Sequence, residues 1–244
     1  SRELNIGFFS RMVRGTPWVR MKVASSLDGT TALDNGESQW ITGESARADG
    51  HAWRARACAV LTGIGTVLED DPKLDVRWVD TPRQPHLVVV DSRLQTPLSA
   101  RLFETPGSGQ ARQVWIYHAA RDQEKEAALQ ARGATLIHMP DAHSKVDLGA
   151  MLRDLGQREV NELHVEAGHK LNGSLLRAGW VDELLLYLAP QLLGRGAGLS
   201  DLGPLHSLRE GIPLRFASLD RVGEDVRVLA RVRDHDAFLN PASS

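Results

Sequence analysis

The chain has 244 residues, with 29 lysines and arginines against 31 aspartates and glutamates, and a formal net charge of -2. That balance offers no basic footprint for nucleic acid and no cationic run for a membrane surface. A 42% apolar share with 25% charged residues is ordinary globular composition and has room for one large α/β domain. No apolar stretch is long enough to span a bilayer, and no cationic start with an apolar middle opens the chain as a signal peptide would. Ser1 stands where an initiator Met would, as expected of a piece of a longer chain. The single cysteine, Cys58, cannot form an internal disulfide, and its neighbours Ala57, Ala59, Val60 and Leu61 read as strand packing. These features lead to the expectation of a cytoplasmic protein.

In chain order, residues 1–15 read as a linker-like segment with a short amphipathic stretch. One domain over 16–233 follows, and 234–244 reads as a frayed, disordered tail. Apolar runs at 18–24, 57–62, 86–90, 114–117, 134–138, 162–165 and 184–189 predict strands. Many are apolar on both faces, as in a covered, largely parallel sheet. A helix is predicted over 44–56, capped by Thr42, with Ala46, Trp53 and Ala57 on one side. Another spans 147–156, where Leu148, Met151, Leu152 and Leu155 follow the i, i+3, i+4, i+7 rule, Asp147 caps and Gly156 ends it. A third runs over 172–178 and stops at Gly179. Alternating strands and helices make this an α/β fold. Residues 204–213 read as a loop. The last runs, 214–219 and 226–232, alternate apolar and polar residues across Gly223-Glu224-Asp225, an antiparallel hairpin signal.

Three strand ends carry chemistry. Leu61-Thr62-Gly63-Ile64-Gly65-Thr66 is either a tight turn or a loop whose backbone N–H groups approach a phosphate. Leu68 stands where a dinucleotide fingerprint needs its third Gly. Asp70 either ends a helix turn or serves as an acid that holds an amine or gives a proton. Val165-Glu166-Ala167-Gly168-His169-Lys170 leads into a helix whose N-terminus suits an anion, with Lys170 adding charge. Glu166, at a strand's end, suits a site or a solvated loop. His164-Val165-Glu166 spells the His-x-Glu of zinc deaminases, but the Pro-Cys-x-x-Cys that must follow is missing. Val90-Asp91-Ser92-Arg93 forms a polar turn or holds a ribose 2′-phosphate. Arg54 and Arg77 are candidates for a substrate phosphate, and Trp40 for a pocket wall. The remaining histidines lack metal-ligand spacing, so no metal is expected.

Several segments occur together in a telling order. They are Lys22 with Ala24-Ser25-Ser26-Leu27-Asp28-Gly29, then Gly36-Glu37-Ser38-Gln39-Trp40-Ile41-Thr42, then Thr66-Val67-Leu68 with Asp70-Asp71-Pro72. Val90-Asp91-Ser92, Val165-Glu166-Ala167-Gly168 and Ala189-Pro190-Gln191-Leu192-Leu193-Gly194 follow. Over about residues 4–232 the chain resembles the reductase domain of the bifunctional riboflavin-biosynthesis deaminase–reductase. The resemblance implies a dihydrofolate-reductase-like α/β fold, with a mixed, mostly parallel sheet flanked by helices and a C-terminal antiparallel hairpin. It also implies a homodimer that uses NADPH to reduce 5-amino-6-(5-phosphoribosylamino)uracil to the ribitylamino product, without deaminase activity.

On matching positions, the resemblance implies that Ala24, Trp40, Thr66, Asp70, Ser92, Gly168, His169, Lys170, Leu171, Asn172, Gly173 and Ser174 line the NADPH site. It implies that Ser38, Arg54, Leu74, Arg77 and Glu166 meet the substrate, with Arg54 and Arg77 on its phosphate. Lys22, Asp70 or Glu166 would supply the proton. His169-Lys170 departs from the family's Pro-Thr or small-residue pair. Gln191 and Thr30 each replace a frequent basic residue. Two other readings compete. One is a pteridine or folate reductase of the same fold, which needs no phosphate-binding arginines; the other is a non-catalytic dimerisation module, which the intact Lys22, Ser38, Arg54, Asp70, Arg77 and Glu166 speak against.

Overall fold

A computed structural model describes residues 2–106 and 111–239. The elements run α1 (Ile6–Arg14), β1 (Trp18–Ser26), β2 (Ala32–Leu33), α2 (Glu44–Arg56), β3 (Ala59–Gly63), α3 (Ile64–Asp70), β4 (His86–Val90) and β5 (Val114–His118). They continue with α4 (Gln123–Ala131), β6 (Ala134–His138), α5 (Leu148–Gln157), β7 (Glu162–Val165), α6 (His169–Arg177), β8 (Glu183–Ala189), β9 (Gly196–Ala197), β10 (Leu214–Val222) and β11 (Asp225–Val232). The main sheet has nine strands in the order β10-β11-β8-β1-β7-β3-β4-β5-β6. From β8 to β6 every pairing is parallel, and β11 and β10 finish one edge antiparallel, as the alternating hairpin pattern predicts. The parallel strands therefore end on one side of the sheet, near Ser26, Gly63, Val90, Val165 and Ala189.

Side chains alternate along a strand, so both faces must find cover. On one face Val19, Met21, Leu61, Val88 and Val165 pack beneath Met151, Leu152 and Leu155 of α5 and Leu175 of α6. Truncating a buried Leu or Met here to Ala should cost about 2–5 kcal/mol. On the other face α3 and α4 cover Val60, Leu87, Val89 and Ile116 with Val67 and Leu129. Further along that face α2 covers Leu185 and Tyr187 with Ala46 and Trp53. Asp49 ties α2 down, accepting from Tyr187 (2.6 Å) and Arg227 (3.0 Å).

Several expectations need correction. The 1–15 segment is not a bare linker: α1 buries Ile6 and sets Phe9 beside Trp18, and it ends at Gly15 in the left-handed region (φ 74). The expected tail from 234 is folded as far as Leu239. Phe238 meets the Trp18 ring edge-on at 6.1 Å, and Arg2 donates to the Leu239 carbonyl. Trp18 is fully buried beneath these two ends of the chain, which gives both a reason to fold. Residues 240–244 of that expected tail lie outside the described residues. Thr42 does not cap α2; Gly43 is its N-cap, with its N–H on the Asp225 carboxylate at 2.8 Å. The helix expected over 172–178 begins earlier, at His169. By contrast, Asp147 caps α5 through the Ala150 N–H at 2.8 Å.

Candidate active site

Register assembles the centre. β7 lies between β1 and β3, with His164 opposite Arg20 on one side and Val60 on the other. One residue on, Val165 faces Met21 and Leu61. The Glu166 N–H continues the ladder to the Leu61 carbonyl at 2.8 Å. Alternation then sets Lys22, Glu166 and Thr62 side by side on the face that α2 covers.

Arg54 of α2 closes on Glu166 with Nε 2.7 Å from Oε1 and Nη2 2.9 Å from Oε2, and its Nη1 donates to the Asp75 carbonyl at 2.6 Å. Burial alone would raise the Glu166 pKa, but the Arg54 guanidinium, helped by Lys22, holds it far below the usual carboxylate range. An ionised Glu166 accepts hydrogen bonds rather than giving a proton. Arg54 has three of its N–H groups committed. It braces Glu166, with two of its five N–H groups outside these bonds.

Lys22 lies under α2, with Gly50 against its stem and its Nζ 5.9 Å from the Tyr187 ring centre. Burial pushes the ammonium pKa down, Glu166 opposes that shift and Arg54 adds to it. A lysine in such surroundings exchanges its proton more readily than one in water.

Beyond α2 the chain carries Leu74, Asp75 and Arg77 past this centre. Leu74 is buried with φ 51, and its carbonyl accepts from Arg112 at 3.0 Å. The Arg77 guanidinium pairs with buried Asp75 at 2.7 Å yet stays 46% exposed, so it reaches solvent where Arg54 does not. The Arg77 backbone N–H donates to His51 Nδ1 at 3.3 Å, and the His51 ring stacks on Trp78 at 5.4 Å. Burial, then the positive charges of Arg54 and Arg77, lower the His51 pKa to about 4.

Two glycine-bearing strand ends meet next to this group. Gly168 lies against Thr66, and Leu171 packs over Gly63. Gly168 starts α6 without any side-chain capping bond, so the first-turn N–H groups are open to an anion. At the end of β4, buried Asp91 accepts from the Gln95 and Thr96 N–H groups and the Thr96 hydroxyl, which fixes the turn. Ser92 Oγ accepts from the Val146 N–H at 3.1 Å and keeps its own proton to donate; Arg93 is exposed. These residues could hold the phosphates of a nicotinamide dinucleotide.

Not every expected cofactor residue faces that way. Asn172 donates to the Leu199 carbonyl at 3.1 Å, and Gly173 lets the Asp201 backbone approach so closely that any Cβ would collide. Ser174 bonds back to the Lys170 carbonyl at 3.0 Å. Asn172, Gly173 and Ser174 thus hold α6 in place, and only Gly168, His169, Lys170 and Leu171 lie at its open end.

Asp70 ends α3, is exposed and meets Gln39 at 3.4 Å; it touches neither Lys22 nor Glu166 among the described residues. With half-buried Ser38 and 69% exposed Trp40, whose ring lies 4.8 Å from the Arg47 guanidinium, it forms a separate rim. The three expected proton donors are therefore not brought together. Ala24 is half-buried beside the Tyr187 cluster. The sequence reading missed Thr62 and His51, and it weighed His164 only as part of a deaminase motif. Strand alternation back from Glu166 was the signal that could have placed His164 here.

A parallel sheet whose strand ends gather an open helix start, glycine turns and a largely covered Lys–Glu–Arg group has the layout in which α/β proteins place ligands. The family model described as the RibD C-terminal domain matches residues 17–228, and the chain belongs to that family. Riboflavin biosynthesis protein RibD of Escherichia coli is 39% identical over 239 residues, which cover 93% of this chain and 63% of that relative. A Buchnera aphidicola protein named 5-amino-6-(5-phosphoribosylamino)uracil reductase is 28% identical, covering 81% of this chain and 97% of its own length. The solved Acinetobacter baumannii RibD superposes with a TM-score of 0.80 at 33% identity, covering 95% of this chain and 62% of that one. The chain thus spans somewhat under two thirds of the RibD relatives it matches. Among the described residues, no helix is long and apolar enough to cross a membrane, and no group of three His, Cys, Asp or Glu could hold a metal.

Proposed function

We propose that this chain reduces 5-amino-6-(5-phosphoribosylamino)uracil to 5-amino-6-(5-phosphoribitylamino)uracil with NADPH, and does not deaminate. The observation that carries the reading is the Lys22–Glu166–Arg54 group beside the open start of α6. It has an ionised acceptor for pyrimidine N–H groups and a cation able to move a proton, next to a seat for a dinucleotide. The Buchnera relative of that name, matched along nearly its whole length, supports the same activity.

When bound, NADPH supplies the hydride that reduces C1′ of the substrate. The first-turn N–H groups of α6 and Lys170 hold its diphosphate, and Ser92 with Arg93 hold its 2′-phosphate. Glu166 accepts from the N–H groups of the uracil ring and so orients the sugar. Arg77, free to reach solvent, anchors the sugar phosphate. Lys22 gives the ribose ring oxygen a proton as its bond to C1′ breaks, leaving the ribityl hydroxyl. The active form is a cytoplasmic homodimer. Exposed Phe216 and Leu219 on β10, at the edge of the sheet, support a second copy there, and size-exclusion chromatography with light scattering tests it.

The test is NADPH consumption with the ribosylamino substrate and, separately, with dihydrofolate. Turnover of the first alone is expected. Turnover of dihydrofolate alone would replace this reading with a pteridine reductase.

A further inference from the structure

His164 is fully buried on β7, two residues before Glu166 and on the same face of the sheet. Neither ring nitrogen has a hydrogen-bond partner among the described residues, but Nε2 stands 3.5 Å from Glu166 Oε1. Thr62 Oγ1, across the sheet from Glu166, is likewise buried and unpaired. Buried polar groups without partners cost stability, so such a group beside a binding carboxylate calls for a use.

Arg20 and Lys22 from β1, Arg54 from α2 and Glu166 surround the imidazole, and burial with these cations lowers its pKa to about 3. The neutral ring has one N–H. On Nε2 that proton sits on the ring atom 3.5 Å from Glu166 Oε1; on Nδ1 it would leave a lone pair there instead. The carboxylate therefore selects the Nε2–H tautomer.

We propose that His164 is a positioning residue that grips Glu166 Oε1 from the sheet side while Arg54 grips both oxygens from the helix side. The Arg54 clamp fixes the carboxylate in its own plane but leaves it free to tilt, and a third contact from below removes the tilt. The lone pairs left over then point at the adjacent N–H donors of a pyrimidine ring. At 3.5 Å the contact is electrostatic, longer than an ordinary hydrogen bond. This inference rests on Glu166 binding the substrate.

The experiment compares His164→Leu, His164→Gln and His164→Asn for kcat, KM, NADPH affinity and Tm. His164→Leu should raise KM for the ribosylamino substrate about tenfold, the effect of losing one charge-assisted bond. It should change kcat less, leave NADPH affinity alone and keep or raise Tm. His164→Gln, whose amide N–H lies near the Nε2 position, should restore most of the affinity, and His164→Asn should not. Wild-type KM in His164→Leu, or Gln no better than Asn, overturns the proposal. If His164→Leu does not fold, the Gln and Asn pair decides. If the wild type itself leaves this substrate unreduced, the proposed function has failed. The ¹³C carboxylate signal of Glu166 then reads the clamp, shifting in Leu and Asn but not in Gln if the clamp exists, and unmoved in all three if it does not.

Discussion

Arg54 reaches across from α2 to both oxygens of Glu166 at the end of β7, at 2.7 and 2.9 Å, and so locks a helix to the strand end it covers. The pair is nearly buried, so breaking it from one side leaves the other charge stranded. Arg54→Ala should cost roughly 3–5 kcal/mol of stability in urea unfolding. Glu166→Gln should cost less than Arg54→Ala, because the Gln amide oxygen still accepts from Arg54, which also keeps its bond to the Asp75 carbonyl. It should still raise the substrate KM at least about tenfold with NADPH affinity retained. Equal substrate KM for Glu166→Gln and wild type would remove Glu166 from the substrate site.

Arg77 is the cation with room to meet a phosphate. Arg77→Ala should weaken the phosphorylated substrate by about tenfold or more and leave NADPH affinity unchanged. A substrate analogue lacking the phosphate should bind wild type and variant alike. If the variant loses affinity for both forms equally, Arg77 acts through Asp75 and the loop rather than on the phosphate.

In the proposed reaction the proton comes from Lys22. Lys22→Met should slow single-turnover hydride transfer by about 10²–10⁴ with NADPH binding intact. Asp70→Asn, altering an exposed residue that meets only Gln39 among the described residues, should change that step far less. The reverse order of effects would move the proton donor to the rim.

In the proposed reading the 2′-phosphate of NADPH meets the fixed turn after β4. Arg93→Ala should reduce the preference for NADPH over NADH by roughly tenfold, the effect of one charge-assisted contact. Equal use of both cofactors by the wild type would refute the 2′-phosphate site.

Stability should fall on the acid side through His164 and His51. Both have folded pKa values below the ordinary imidazole value of about 6.5, about 3 and about 4, so the unfolded chain binds more protons below that pH. Their contributions are whole above pH 6.5 and are lost as pH falls toward those folded values, each at up to about 1.4 kcal/mol per pH unit. Chemical denaturation across pH 4–7 reads the slope, and His164→Leu should make it shallower. An unchanged slope would mean that His164 is not buried neutral.

Much of this was legible along the chain. Strands such as 86–90, 134–138 and 162–165 match their observed bounds because buried parallel strands are short apolar runs closed by turn residues. Asp147 at the start of α5 was readable because its cap is local, bonding within one turn. Thr42 failed as a cap for the opposite reason: the group that meets the α2 start, Asp225, lies far away in sequence. α1 and residues 237–239 pack against each other and Trp18, a contact between distant parts of the chain that local patterning does not show. In the site, Lys22, Arg54 and Glu166 were each singled out, but the group expected to converge was Lys22, Asp70 and Glu166. Their division of labour depends on which guanidinium is already occupied, and no spacing reveals that. The same holds for Asn172 and Gly173, whose partners at 199–201 follow much later in the chain.

The most direct test of the central claim is to follow the hydride itself. The enzyme is given NADPH carrying deuterium at the transferable position and 5-amino-6-(5-phosphoribosylamino)uracil, and the product is analysed by mass spectrometry and NMR. The account predicts a ribitylamino product with one deuterium at C1′, formed by the wild type and sharply slowed in Lys22→Met. Consumption of the substrate with no label at C1′, or equal labelling rates in wild type and Lys22→Met, would contradict it.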